Sequence, residues 1–352
     1  MKRVDFRQHV LAALHEAKAR LPLQHLHLLY APELADPLLL AGTSKRDTAH
    51  IRAPSGDAEW PREAWPFLVT LDCRRLAGGP SMQSDPGFDD PLLEASIAQA
   101  HAEVREGQRV RVEVSSDDPG MAEAVCGWIV SPEPVAQLAS RINRHAALFN
   151  SQDKRRWVRW YQPACICLLW PTLGVAQRQA LLGRGTWVAY DAVGHLRCFT
   201  ADPDAGPSAD PPPDLSPASR YRSVAQWDMV DNVVVVTELL RQWHAFCFTH
   251  GRTLPRDAGV RLNAHVRRAR GHGLDAEDLA FYALLAVQLL DGAMQSPDFL
   301  RLLHDTRVRG EPLRDALESL PDTFWSRYLP NDVTARQALQ RATHRGATSP
   351  DP

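Results

Sequence analysis

Apolar residues recur at helical spacing at the start of the chain, at Val4, Leu11, Leu14 and Ala17 with a polar remainder, which predicts a helix over residues 4–20. "HLHLLYAP" (25–32) reads as a short strand, and "DPLLLAG" (36–42) as a turn of helix ended by Gly42. A polar stretch with Pro and Gly (43–64) reads as loop before the apolar run "PFLVTL" (66–71), the pattern of a buried strand. Turn formers crowd 74–91, a helix is predicted over 92–104, "RVRVEVS" (109–115) alternates as a half-buried strand does, and "CGWIVS" (126–131) is another strand. A helix over 133–149 carries Val135, Leu138, Ile142 and Leu148 or Phe149 on one side; further on, "TWVAYD" and "LRCFT" form two strands. Helices alternating with strands over the first 200 residues argue for a layered domain.

The stretch 201–219 holds Pro, Asp, Ser and Gly with almost no apolar side chain and reads as a linker. Beyond it the pattern is helical, over 223–249, 256–271, 275–292, 297–304, 311–328 and 332–343. Val233 to Val236 would favour a strand in isolation, but Trp227, Val230, Val234 and Thr237 align on one helical face and Met229, Val233, Val236 and Leu240 on another, which predicts a central helix buried on both sides. The fold class expected is α+β or α/β: an N-terminal α/β lobe with a mixed sheet (1–200), a Pro/Asp-rich linker (201–220), an all-helical C-terminal lobe (221–345) and a disordered tail (346–352).

Composition narrows the function classes. With 44% hydrophobic and 23% charged residues, the chain has ordinary globular usage. A formal charge of -2 provides no global attraction to nucleic acid or anionic membrane. No run approaches the roughly 18 apolar residues of a membrane span, and the N-terminus, broken by His15 and Glu16, does not read as a signal peptide. Six scattered cysteines suit reduced thiols, so the expected location is the cytoplasm.

The stretch "KRRWVRWYQPACICLLW" (154–170) concentrates basic and aromatic residues. As a strand it alternates Arg156, Val158 and Trp160 on one face with Trp157, Arg159 and Tyr161 on the other. Pro163 fits the first position of a helix and holds Gln162 in the extended region that an N-cap requires, so "YQP" reads as a strand-to-helix junction leading into a buried helix.

"RWYQP" (Arg159, Trp160, Tyr161, Gln162, Pro163) resembles the Arg-Phe-Tyr-Asp-Pro signature of the bacterial type VI secretion effector adaptors, also called effector chaperones. Other landmarks follow in the family's order: "LHLLYAPELADPLL" (26–39), "WPFLVTLD" (65–72) and "CGWIVSPEPVAQLASRINR" (126–144). The resemblance covers about residues 25–200, and 269–299 is similar to the family's helical lobe. It implies a cytoplasmic, non-enzymatic adaptor without cofactor, which binds a toxic effector and helps load it onto the trimeric spike of the valine-glycine-repeat (VgrG) type. Gln162 stands in place of the signature Asp and Ala164 in place of the following Arg. Gln is the weaker N-cap, by roughly 0.5–2 kcal/mol.

Lys154, Arg155, Arg156 and Arg159 among Trp157, Trp160 and Tyr161 could form a single-strand nucleic-acid platform, but a sheet strand with a solvated basic end explains them better. The basic run 261–272 reads as helix surface. His25 with His27, or Cys165 with Cys167, lacks the second pair a zinc site needs, so no metal ligand is assigned. Asp89 with Asp90, and Asp117 with Asp118, could serve a hydrolase as a carboxylate pair, but their turn-rich context favours local hydrogen bonding. No phosphate loop, nucleophile elbow, His-Glu-x-x-His or dinucleotide fingerprint occurs. For partner contact, aromatics at polar junctions are the candidates: Trp60, Trp65, Trp325 and Tyr328.

Overall fold

The computed structural model describes residues 3–20, 25–31, 46–51, 65–71, 90–107, 124–149, 155–157, 161–201 and 223–329. The chain divides into two compact units, Met1–Asp231 and Asn232–Pro352. The first is α+β and the second, over its described residues, is all helical.

In the first unit, helix α1 (Arg3–Ala19) is followed by strands β1 (His25–Tyr30), β2 (Thr48–His50) and β3 (Phe67–Leu71), helix α2 (Pro91–Gly107) and strand β4 (Val125–Ser131). Then come helix α3 (Val135–Ala146), a short pair β5 (Ala147–Phe149) and β6 (Arg155–Trp157), helices α4 (Pro163–Leu169) and α5 (Val175–Leu182), strands β7 (Thr186–Tyr190) and β8 (Leu196–Thr200), and helix α6 (Val224–Asp231). Six strands form one sheet in the order β2-β3-β1-β4-β7-β8. Every pairing in it is antiparallel, so the mixed sheet expected from alternating elements gives way to an antiparallel one. Helix–strand alternation does not by itself dictate crossovers, and here β7 and β8 are joined by a tight hairpin rather than by a helix.

The two-residue period of the strands sorts the core. Leu26, Leu28, Tyr30, Val69, Trp128, Val130 and Val188 face α1 and α2, where Phe6, Val10 and Leu14 on one helix and Leu93, Ile97 and Ala100 on the other meet them. Burial of all seven residues of β4 shows that the opposite face is covered as well; there α3 packs on β2 and β3 through buried Leu138 and Ile142. Trp128 Nε1 donates to the Ser96 hydroxyl at 2.9 Å, which satisfies the one polar atom of a fully buried ring.

Strand β4 carries a bulge. Leu29 pairs with Gly127 but Tyr30 with Val125, leaving Cys126 extra. Gly127 has φ +127, and a Cβ there would lie 2.5 Å from both Val188 O and Trp187 Nε1. The indole donates instead to Cys126 O at 3.1 Å. Only glycine admits this approach.

Several expectations change at element scale. The polar stretch 43–64 contains β2, which its three polar or small residues do not announce. The helix expected to reach 149 ends at Ala146, and 147–149 pair with 155–157 as a separate two-stranded ladder. Helix α5 has no counterpart in the sequence pattern; Gly174 caps its start and Gly183, φ +58, its end, over the Glu133–Arg141 ion pair. The helix turn at 36–42, the strand at 109–115, most of the loop at 74–91, nearly all of the linker, the helix at 332–343 and the tail lie outside the described residues.

In the second unit, helices α7 (Val233–Thr249), α8 (Ala258–Gly271) and α9 (Ala276–Ala286) pack on one another, followed by α10 (Pro297–Arg309), α11 (Leu313–Ala316) and α12 (Asp322–Tyr328). The single helix expected over 223–249 is broken at Asn232, and the unit boundary falls there, whereas the sequence reading begins the helical lobe at 221. Helix α7 is also one-sided: Val236, Leu240, Trp243 and Cys247 are buried, but Val234 is 61% exposed. The even spread of valines over the sequence misled the two-sided reading, since β-branched residues occupy solvent positions here too. Caps define the later helices: Asp275 accepts from Asp278 N at 2.9 Å, and Ser296 from Phe299 N at 3.2 Å with Pro297 at the first position. The expected helix 311–328 is interrupted before Pro321. Tyr282, Phe299 and Phe324 run through the core with ring centroids 5.9 and 6.2 Å apart.

Candidate functional site

The signature stretch is a junction. Tyr161 is 1% exposed, and Gln162 precedes α4 with φ -73 and ψ 133, the extended geometry of an N-cap, while Pro163 opens the helix. Gln162 makes no side-chain cap hydrogen bond. Helix α4 buries Pro163, Ala164, Cys165, Ile166, Leu168 and Leu169, and the Cys165 thiol is pushed up to about 12 by burial, so it is an inert core thiol. Arg159 and Trp160 lie outside the described residues; Arg155 to Trp157 pair with Ala147 to Phe149.

The candidate ligands and carboxylates are engaged locally. His27 is fully buried at the sheet centre: Nε2 donates to Glu133 O at 3.0 Å, because a carbonyl can only accept, and Nδ1 lies 3.2 Å from the Thr70 hydroxyl, from which it accepts. Burial lowers its pKa to about 4, against the opposing pull of the Glu133 carbonyl. Asp90 is 2% exposed and receives Arg46 through both oxygens, at 2.5 and 2.9 Å, and Leu92 N at 2.8 Å, so it starts α2. Asp89, Asp117 and Asp118 lie outside the described residues. Among the described residues, no group of three His, Cys, Asp or Glu side chains could hold a metal ion, and no helix is long and apolar enough to cross a membrane. In α8, Arg261, Arg267 and Arg270 are exposed, on the solvent side of a helix whose other face buries Leu262, Val266 and Ala269.

The aromatic contact candidates fall in separate places. Trp60 lies outside the described residues and Trp65 is half-buried just ahead of β3. Trp325 and Tyr328 are half-buried on α12, both against the buried Phe324 ring, at 5.2 and 5.1 Å. Tyr328 O accepts from Leu290 N at 2.9 Å, and Leu290 is itself 48% exposed, so this corner presents a partly open apolar cluster.

Three surface features were not singled out from sequence. Phe248, at the end of α7, is 81% exposed, seven residues after Arg241 and fourteen after exposed Val234 on the same helical face. Between β2 and α3 lies an open groove of about 660 Å³, lined by Thr48, Ala49, His50, Ala136, Ala139, Ser140, Asn143 and Arg144. A second groove of about 430 Å³, between α10 and the segment 311–321, is rich in charge, with Asp298, Asp305, Glu311 and Asp315 facing Arg301 and Arg309. The first could have been suspected from the i, i+3, i+4 spacing of Ala136, Ala139 and Ser140, had β2 been recognised.

Comparison of the chain with protein-family models, curated proteins and solved structures finds no match.

Proposed function

We propose that this chain is a cytoplasmic adaptor, not an enzyme, that binds a cognate type VI secretion effector and presents it to a VgrG-type spike protein. The observation that carries the reading is where the resembling segments fall. Residues from 26–39, 65–72 and 126–144 contribute β1, β3 and β4, three adjacent strands at the middle of one sheet, and Tyr161, Gln162 and Pro163 form the junction into a buried helix. The Gln162 geometry supports the reading too, because a residue that starts a helix can change from Asp to Gln at the expense of some stability while the scaffold persists. Open grooves and exposed Val234 and Phe248 supply surface of the kind a protein partner covers.

Deletion of the gene in its host tests the proposal. One effector should fail to be delivered while secretion of the tube and of other effectors continues. Normal delivery of every effector would refute it.

A further inference from the structure

The edge of the sheet at β2 has a defined polarity. Thr70 N donates to Asp47 O at 3.0 Å and Ile51 N to Pro66 O at 2.7 Å, so Asp47, Ala49 and Ile51 turn their backbone groups toward β3. By the same period Thr48 and His50 turn theirs outward, and among the described residues β2 is the last strand on that side. One outward group is already met: His50 O accepts from Asn143 Nδ2 of α3 at 3.3 Å, a side chain standing where a neighbouring strand would donate. Asn143 Oδ1, shielded from water, has no hydrogen-bond partner among the described residues. Beside this edge runs the groove of about 660 Å³. Exposed Ala136 and Ser140 give its α3 wall little bulk, which leaves room for every second side chain of an extended segment. Exposed Arg144 is the one permanently charged side chain among the described lining residues.

We propose that this edge and groove bind an extended, acidic segment of the partner protein, added to β2 as a further strand with a carboxylate near Arg144. Backbone hydrogen bonding at Thr48 supplies affinity, and the groove and Arg144 supply selectivity. The inference deepens the adaptor reading, on which the identity of the partner rests.

The test uses the full chain and a fluorescein-labelled heptapeptide of alternating Thr and Val carrying one Glu, with a counterpart carrying Lys in its place. Binding is read by anisotropy, and exchange of the Thr48 amide by NMR. The acidic peptide should bind at least tenfold tighter than the Lys peptide and slow Thr48 exchange at least tenfold. Thr48→Pro removes the outward N–H, and Ser140→Trp fills the groove from an exposed position; each should weaken binding at least tenfold with unchanged circular dichroism. No binding by the acidic peptide, or binding indifferent to both variants, overturns the proposal. A dimer in light scattering that Thr48→Pro disperses would overturn it in favour of a second copy of this chain. If the native effector is recovered equally by wild type and Thr48→Pro, this site is wrong and the adaptor reading stands. If wild type binds the peptide as described but recovers no effector, the adaptor reading fails and the edge site survives.

Discussion

At the residue scale, two positions convert geometry into measurable stability. Gln162 occupies an N-cap with extended backbone and no side-chain hydrogen bond. Gln162→Asp should therefore raise stability by about 0.5–1 kcal/mol, read as a higher Tm, and leave partner binding unchanged. Loss of binding in a folded variant would show that Gln162 does more than start a helix. His27 is held neutral by burial, with a folded pKa of about 4 against 6.5 for the exposed ring. A depressed pKa contributes stability that is complete above pH 6.5 and is lost as pH falls toward 4, because the unfolded chain takes up the proton first. The loss amounts to roughly 3 kcal/mol at its limit. Burial lowers the pKa of His265 to about 4 as well, so urea titrations between pH 7 and 4 should show the summed slope, and His27→Gln should make it shallower while lowering stability at pH 7. An unchanged slope in the variant would place the acid sensitivity elsewhere.

At the element scale, the bulge in β4 makes the firmest claim. A methyl group on Gly127 would meet Val188 O and Trp187 Nε1 at 2.5 Å in a packed core, with φ in a region that L-residues avoid. Gly127→Ala should destabilise by more than about 3 kcal/mol, measured by chemical denaturation, and a loss below 1 kcal/mol would mean the bulge relaxes. The same strand shows what sequence can tell. "CGWIVS" reads as a strand because its apolar run is continuous, and "YQP" as a helix start because proline restricts both itself and its neighbour. These are local rules and they located β1, β3, β4, β7, β8, α1, α2 and α4. What stayed hidden depends on partners distant in sequence. Thr48 to His50 form a strand because β3 offers a ladder, and 147–149 leave helical geometry to pair with 155–157. The outward Thr48 edge, the centre of the proposed docking site, was for that reason not legible, whereas the junction at 161–163 was.

At the scale of the whole molecule, the chain consists of an α+β unit and a unit that is helical over its described residues, and the resembling strands and the β2 edge lie in the first. Of the segments that carry the resemblance over about residues 25–200, 26–39, 65–72 and 126–144 contribute the strands β1, β3 and β4, which lie side by side. That adjacency was not readable from element order, because β1 pairs with β3 and β4, neither of which is its neighbour among the strands in the chain. The central claim is that this chain holds a cognate effector in the cytoplasm for loading onto a spike. A tagged pull-down from cytoplasm of the native host at gentle salt, with mass spectrometry of what co-purifies, tests it most directly. The account predicts a large toxin-like protein recovered with the chain, with or without the VgrG-type spike. Repeated recovery of neither would contradict it.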